Sequence, residues 1–224
     1  MYSKEGVERL LTEYPRVDQE LERVTLGTLQ ACADTTSERA KEFLQKGVAR
    51  RLRLLRRSLS NVFTLFPPAA TTPIESDDLD DAVISLHAFV INTYGLFDNL
   101  AWAFVVRHGL EQVIGRHTRI GFFLDHTKRH MPAALRSYVD SPKMIEWHTR
   151  YLKNYRDALA HKIPLYIPPA AYSEEDAIRC RELQALQSQY LQAFNWTRLQ
   201  EVIVQQCGFR KFCPLDSGNS GRLM

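Results

Sequence analysis

Leu44, Val48, Leu52, Leu55, Leu59, Val62 and Phe66 recur at steps of three and four residues. That spacing lays one apolar face along a long helix. Pro67-Pro68 ends it, because proline lacks an amide donor and its ring clashes with the preceding turn. Residues 67–73, rich in Pro, Ala and Thr, read as a linker. Upstream, residues 17–33 predict a modest first helical segment. Beyond the linker a third helix is expected to start near Ser76, with Asp77, Asp78, Asp80 and Asp81 at its positive end. It should run towards His108, and Gly109 helps to end it. Its stretch 82–106 is the most hydrophobic of the chain, interrupted by His87, Asn92, Asp98 and Asn99. It reads as a buried bundle helix, since no apolar run approaches the roughly 20 residues that cross a bilayer. No membrane partner is expected.

Residues 115–141 are less regular and should hold at most short helices around Ile120 and Pro132. Ser141-Pro142 then supplies an N-cap and a proline at the first helical position. The helix it opens can run to about Lys162, because Pro164 disfavours helical geometry at Ile163. Met144, His148, Tyr151, Tyr155 and Leu159 are expected to mark one face of it. Residues 163–169 must be extended, and Ser173 with Asp176 resembles a capping box. A last helix through Ala193 continues or restarts to Gln206, and the Gly- and Ser-bearing tail 207–224 is expected to be partly disordered. Strand signals are nearly absent. The sum is a single all-α domain over residues 1–224, with its core at about residues 40–200. Its expected form is an up-and-down bundle of four to five helices, with an irregular insertion between the third and fourth.

A composition of 45% hydrophobic residues can fill such a core. The formal net charge of +3 permits anionic partners without demanding them. Cys32, Cys180, Cys207 and Cys213 form no CxxC pair, and residues 1–11 carry charges throughout rather than an apolar signal core. Reduced thiols in a cytoplasmic protein are therefore expected. His117, Asp125, His126 and His130 include one helical i, i+4 pair, but Pro132 and the weak local periodicity argue against a metal site. With no phosphate-cradling Gly loop either, no cofactor is expected. Arg50, Arg51, Arg53, Arg56 and Arg57 cluster on the second helix. They read as a solvated face with salt bridges, and an electrostatic footprint for RNA is the alternative.

The densest chemistry is Arg156-Asp157-Ala158-Leu159-Ala160-His161, just before Ile163-Pro164. An Arg holds a phosphate by paired hydrogen bonds, and a His moves a proton near neutral pH. Five residues of regular helix leave the two side chains about 140° apart. Either the backbone departs near His161 and lets the imidazole swing back, or a second, antiparallel copy brings the complementary group. The matching chemistry is attack by an RNA 2′-hydroxyl on its neighbouring phosphate, with His161 shuttling the proton and Arg156 holding the non-bridging oxygens. Asp157 would orient a partner or fix a dimer, and Lys162 sets a further cation beside the motif. The bland alternative is a set of surface or interface salt bridges. Asp98 and Asn99, inside an apolar helix, need partners. They either bond a neighbouring helix or face Arg156, with Tyr94 on the same side as Asp98.

An Arg, a polar residue and a His five positions after the Arg, at the end of a late bundle helix, resemble the Arg-x(4–6)-His motif of the HEPN superfamily. Asp157 fits the family's polar position after the Arg. Residues 163–169 (Ile-Pro-Leu-Tyr-Ile-Pro-Pro) and Asp98-Asn99-Leu100-Ala101-Trp102 are similar to a stand-alone prokaryotic branch. The resemblance implies an all-α homodimer with a composite cleft at its interface. It implies a metal-independent endoribonuclease acting on single-stranded RNA, in toxin–antitoxin or antiphage systems, with an antitoxin or defence-system protein as partner. It also admits a non-catalytic dimerisation or partner/nucleotide-binding module.

Overall fold

The computed structural model of the chain describes residues 3–70, 74–167 and 174–210. Every regular element among the described residues is helical. Helix α1 (Lys4–Ala33) opens at Ser3, whose hydroxyl accepts the Gly6 N–H at 3.0 Å. It is longer than the segment 17–33 read from the pattern, because Pro15 lies inside the helix without ending it. Tyr14 stacks on Phe63 with ring centroids 4.3 Å apart. This packing holds the stretch that the missing proline amide weakens.

The second helix is continuous but not uniform. Ser37 caps α2 (Glu38–Glu42) by accepting the Ala40 N–H. A π-helical segment, Phe43–Ala49, follows and passes into α3 (Arg50–Leu65). Leu44, Val48, Leu52 and Leu55 are buried with Cys32, Leu96 and Ala103 as the main core, as the apolar spacing predicts. The helix ends where expected, with Phe66 turning out of helical geometry at φ −125° and ψ 71° ahead of Pro67.

Helix α4 (Ser76–Arg107) starts at the expected residue and closes at His108, with Gly109 at φ +64°. It packs along α3 and also touches α2, the first π-helical segment and α9. By length and composition alone α4 is long and apolar enough to cross a membrane. The polar interruptions in 82–106 are too few to change that, contrary to the expectation from the sequence.

Short helices α5 (Glu111–Ile114), α6 (Asp125–Lys128) and α7 (Ala133–Val139), with a 3₁₀ turn at His117–Arg119, fill the irregular region. Ile114 and Ile120 bury against Ala101 and Val105 of α4. Buried Thr127 accepts the Gly121 N–H at 3.1 Å and closes the loop between them. His130 lies beyond the end of α6, so its helical spacing to His126 is not realised. Among the described residues no three His, Cys, Asp or Glu side chains gather in a metal-holding group.

The fourth long helix comprises α8 (Pro142–Glu146), a second π-helical segment at Trp147–Leu152, and α9 (Lys153–His161). Ser141 caps it as the sequence predicts, its hydroxyl accepting the Met144 N–H. The face drawn through Tyr151 and Tyr155 is not the buried one: both are about two-fifths exposed, at 41% and 40%, while Leu152 is 5% exposed. A π turn bonds i to i+5 and inserts an extra residue, which rotates everything downstream. Helices α10 (Glu174–Gln192) and α11 (Trp196–Arg210) pack on each other, with Phe194 at φ 52° between them. Helix α11 carries Cys207–Arg210, so the helical part extends past Gln206. Ser173 of the expected capping box, Pro168-Pro169 of the expected extended run, and residues 211–224 lie outside the described residues.

Candidate functional site

Tyr94 and Asp98 lie one turn apart on α4 and present themselves to α9. From α9, Arg156 reaches across. Its Nη2 donates to the Tyr94 hydroxyl at 3.0 Å, and its guanidinium carbon sits 4.3 Å from the Tyr94 ring centroid. Tyr94 thus offers both a π face and an acceptor to one cation. Nη1 pairs with the neighbouring Asp157 carboxylate at 3.0 Å. The Arg156 Nε is buried and has no hydrogen-bond partner among the described residues.

Asp98 keeps solvent contact on its outer edge, yet loss of hydration around the carboxyl raises its pKa above the ordinary 3.8. The Arg156 and Arg51 cations pull the other way without winning. A carboxyl whose pKa is raised holds its proton to a higher pH than a free Asp, and its carboxylate accepts one more readily.

The second π-helical segment brings in a residue that the pattern had assigned only to a helix face. His148 stacks on Phe123, with centroids 3.8 Å apart, and lies over Tyr94 at 6.5 Å. Burial first, then Lys153 and Arg156, lower its pKa below the ordinary 6.5. Phe97 closes the aromatic group, packing on Phe122, Phe123 and Trp147. This cluster fastens Phe122, Phe123 and the start of the fourth long helix to α4. His87 Nε2 donates to the Leu165 carbonyl at 2.6 Å, which ties the extended chain after α9 back onto α4.

Helix α9 runs through His161, and only at Lys162 does the backbone become extended. The five-residue separation therefore stays helical, at about 140°. Arg156 turns in towards α4, while His161 and Lys162 are exposed. No hydrogen bond joins Arg156 to His161 within one chain, Arg156 bonding Tyr94 and Asp157 instead.

Asn99 faces the other neighbour. Its Oδ1 accepts from Arg51 Nε at 2.8 Å, and Asn92 Oδ1 accepts from Arg51 Nη1 at 3.0 Å. Asn99 thus bonds a neighbouring helix, while Asp98 feels both Arg51 and Arg156. Arg51 is the exception in its cluster: Arg50, Arg53 and Arg57 are exposed, and Arg56 pairs with Asp18 of α1 at 2.6 Å. His148 and Arg51, which the sequence offers only as a helix-face residue and a member of an arginine cluster, are the two residues it does not assign to the site. The available signals were Gly47 and Gly95, small residues at the sites where Asn99 and Arg51 make their closest approaches. Comparison with protein-family models, curated proteins and solved structures gives no match.

Proposed function

We propose that this chain is a HEPN-like endoribonuclease that works without a metal ion on single-stranded RNA, as a homodimer. In this reading α1, α2–α3, α4 and α8–α9, with α10 as a fifth, form the bundle, and residues 115–141 are its insertion. The observation that carries it is the division of the motif: Arg156 is fixed on the Tyr94 ring and hydroxyl, while His161 stands free at the exposed end of the same helix. Two copies with their α9 helices antiparallel would set one chain's guanidinium beside the other's imidazole.

The 2′-oxygen then bonds to the adjacent phosphorus and the bond from phosphorus to the 5′-oxygen breaks. His161 takes the hydroxyl proton and returns one to the leaving oxygen. Arg156 steadies the charge on the non-bridging oxygens. Asp157 pairs with the guanidinium and fixes its direction, with Asp98 nearby. A role as a toxin or antiphage effector, with an antitoxin or defence-system partner, follows from the same resemblance.

The test is incubation of the purified protein with end-labelled RNA in EDTA. Wild-type protein should leave 2′,3′-cyclic phosphate ends, and His161→Ala and Arg156→Ala should not. An Arg156→Ala protein that cleaves as well as wild type defeats the proposal. A second reading rests on the Asp157 and Tyr94 contacts, which already occupy Arg156. There the motif is architectural and the chain is a dimerisation or partner-binding module. That reading expects both substitutions to weaken the dimer, with no RNA cleavage in wild type.

A further inference from the structure

On the α3-facing side of α4 lies an open cavity of about 490 Å³ whose lining does not include Arg156. Arg39, Lys46, Arg50 and Arg51 supply its charge, with Phe43 and Leu54 as apolar wall. One carboxylate, Glu42, also lines it and is taken by Lys46 at 2.9 Å. Arg39 is taken by Glu111. That leaves Arg50 and Arg51 as the cations with no ion-pair partner within hydrogen-bonding reach among the described residues.

Arg51 is held unusually for a half-buried guanidinium. Its two bonded nitrogens donate to the neutral amide oxygens of Asn99 and Asn92, not to a carboxylate. Neutral acceptors fix the direction of a guanidinium without cancelling its charge. The backbone is adapted to the arrangement. A Cβ at Gly95 would fall 2.5 Å from the Arg51 guanidinium carbon, and one at Gly47 would fall 2.7 Å from Asn99 Cγ. Gly47 lies in the first π-helical segment, a local departure that helices commonly keep at functional sites. Two amides in an apolar helix, two glycines and a π turn all serve one charged group at a cavity wall.

We infer that this cavity binds a small molecule carrying a phosphate monoester or diphosphate group, with Arg51 as the fixed anchor and Arg50 as the second clamp. Paired guanidinium donors match phosphate oxygens in geometry and charge. The concave volume and the apolar wall at Phe43 and Leu54 favour a compact ligand over a strand passing across a flat basic face. The inference does not depend on the ribonuclease reading, since the cavity contains neither Arg156 nor His161.

The full-length protein is titrated calorimetrically with inorganic phosphate and with pyrophosphate at low ionic strength. Wild type should show saturable binding at one site, tighter for pyrophosphate. Arg50→Gln, at an exposed position that cannot upset the fold, should weaken pyrophosphate about tenfold, the loss of one charge-assisted contact. Arg51→Gln should weaken it at least as much, and Arg57→Gln, outside the cavity, should leave it unchanged. Absence of saturable binding in folded wild type overturns the inference, as does equal binding by wild type and Arg50→Gln. Arg51-dependent binding of a single-stranded RNA with no response to pyrophosphate also overturns it, by making the groove an RNA contact. Any of these results leaves the EDTA cleavage assay free to succeed or fail by itself.

Discussion

Replacing Gly95 by alanine tests whether Arg51 is truly fixed. The added Cβ would lie 2.5 Å from the Arg51 guanidinium carbon, 2.7 Å from Nη1 and 2.8 Å from Nη2. None of these separations is tolerable, so the guanidinium must leave its place and release Asn99 and Asn92. Two opposing effects then compete. Alanine in a helix interior is favoured over glycine by about 1 kcal/mol. Two hydrogen bonds from a charged donor contribute about 1.5 kcal/mol each, the low end of their range being apt for a half-exposed group. The loss outweighs the gain, and Gly95→Ala should destabilise the protein by about 2 kcal/mol. With a denaturant slope of about 2 kcal/mol per molar, the urea midpoint should fall by about 1 M. In an Arg51→Ala background the three atoms nearest to the added methyl group are gone, and the same change should stabilise by about 1 kcal/mol. The cycle therefore carries a coupling of about 3 kcal/mol. A Gly95→Ala single variant more stable than wild type would refute the reasoning, since Arg51 would then swing aside at no cost.

Two pH-dependent outcomes follow from the groups around Arg156. Asp98 has a folded pKa raised above 3.8, so its contribution is most favourable below that pH and is lost as pH rises through the folded value. Asp98→Asn should therefore raise the thermal midpoint at pH 7, with the gain disappearing as the pH falls below 3.8; a gain independent of pH would contradict this. His148 has a folded pKa lowered below 6.5, so its contribution is full above pH 6.5 and is lost as pH falls through the folded value. His148→Phe keeps the stack on Phe123 and removes the titration. Its loss of thermal midpoint between pH 7.5 and pH 5 should be smaller than that of wild type, and identical slopes would argue against a buried neutral imidazole.

The long helices were legible where apolar residues repeat at helical spacing and a recognisable cap stands at the end. Ser141, Phe66 ahead of Pro67, and the stripe Leu44, Val48, Leu52 and Leu55 are such places. Legibility failed at α1, where the pattern predicts only residues 17–33, yet Tyr14 packs on Phe63 and the helix runs through Pro15 from Lys4. It failed again at Tyr151 and Tyr155, because a pattern projected at 3.6 residues per turn cannot anticipate an i+5 turn. The candidate site was legible in part. Tyr94 and Asp98 were expected on one side of the third helix, and they do meet Arg156 there electrostatically or by hydrogen bond. The inward turn of Arg51 and the stacking of His148 were not legible, since each depends on a residue of another helix.

Local sequence, then, determined that the chain is helical, where its capped helices begin, and which aliphatic stripe forms the main core. These follow from backbone propensity, proline and hydroxyl caps, and a repeat that acts over one or two turns. Tertiary structure decided which polar residues face one another: Arg156 with Tyr94, Arg51 with Asn92 and Asn99, His148 with Phe123. A charged or aromatic side chain reaches across a helix interface, and the register of that interface here is set by two π-helical segments whose extra residue is stabilised by packing and not by local pattern.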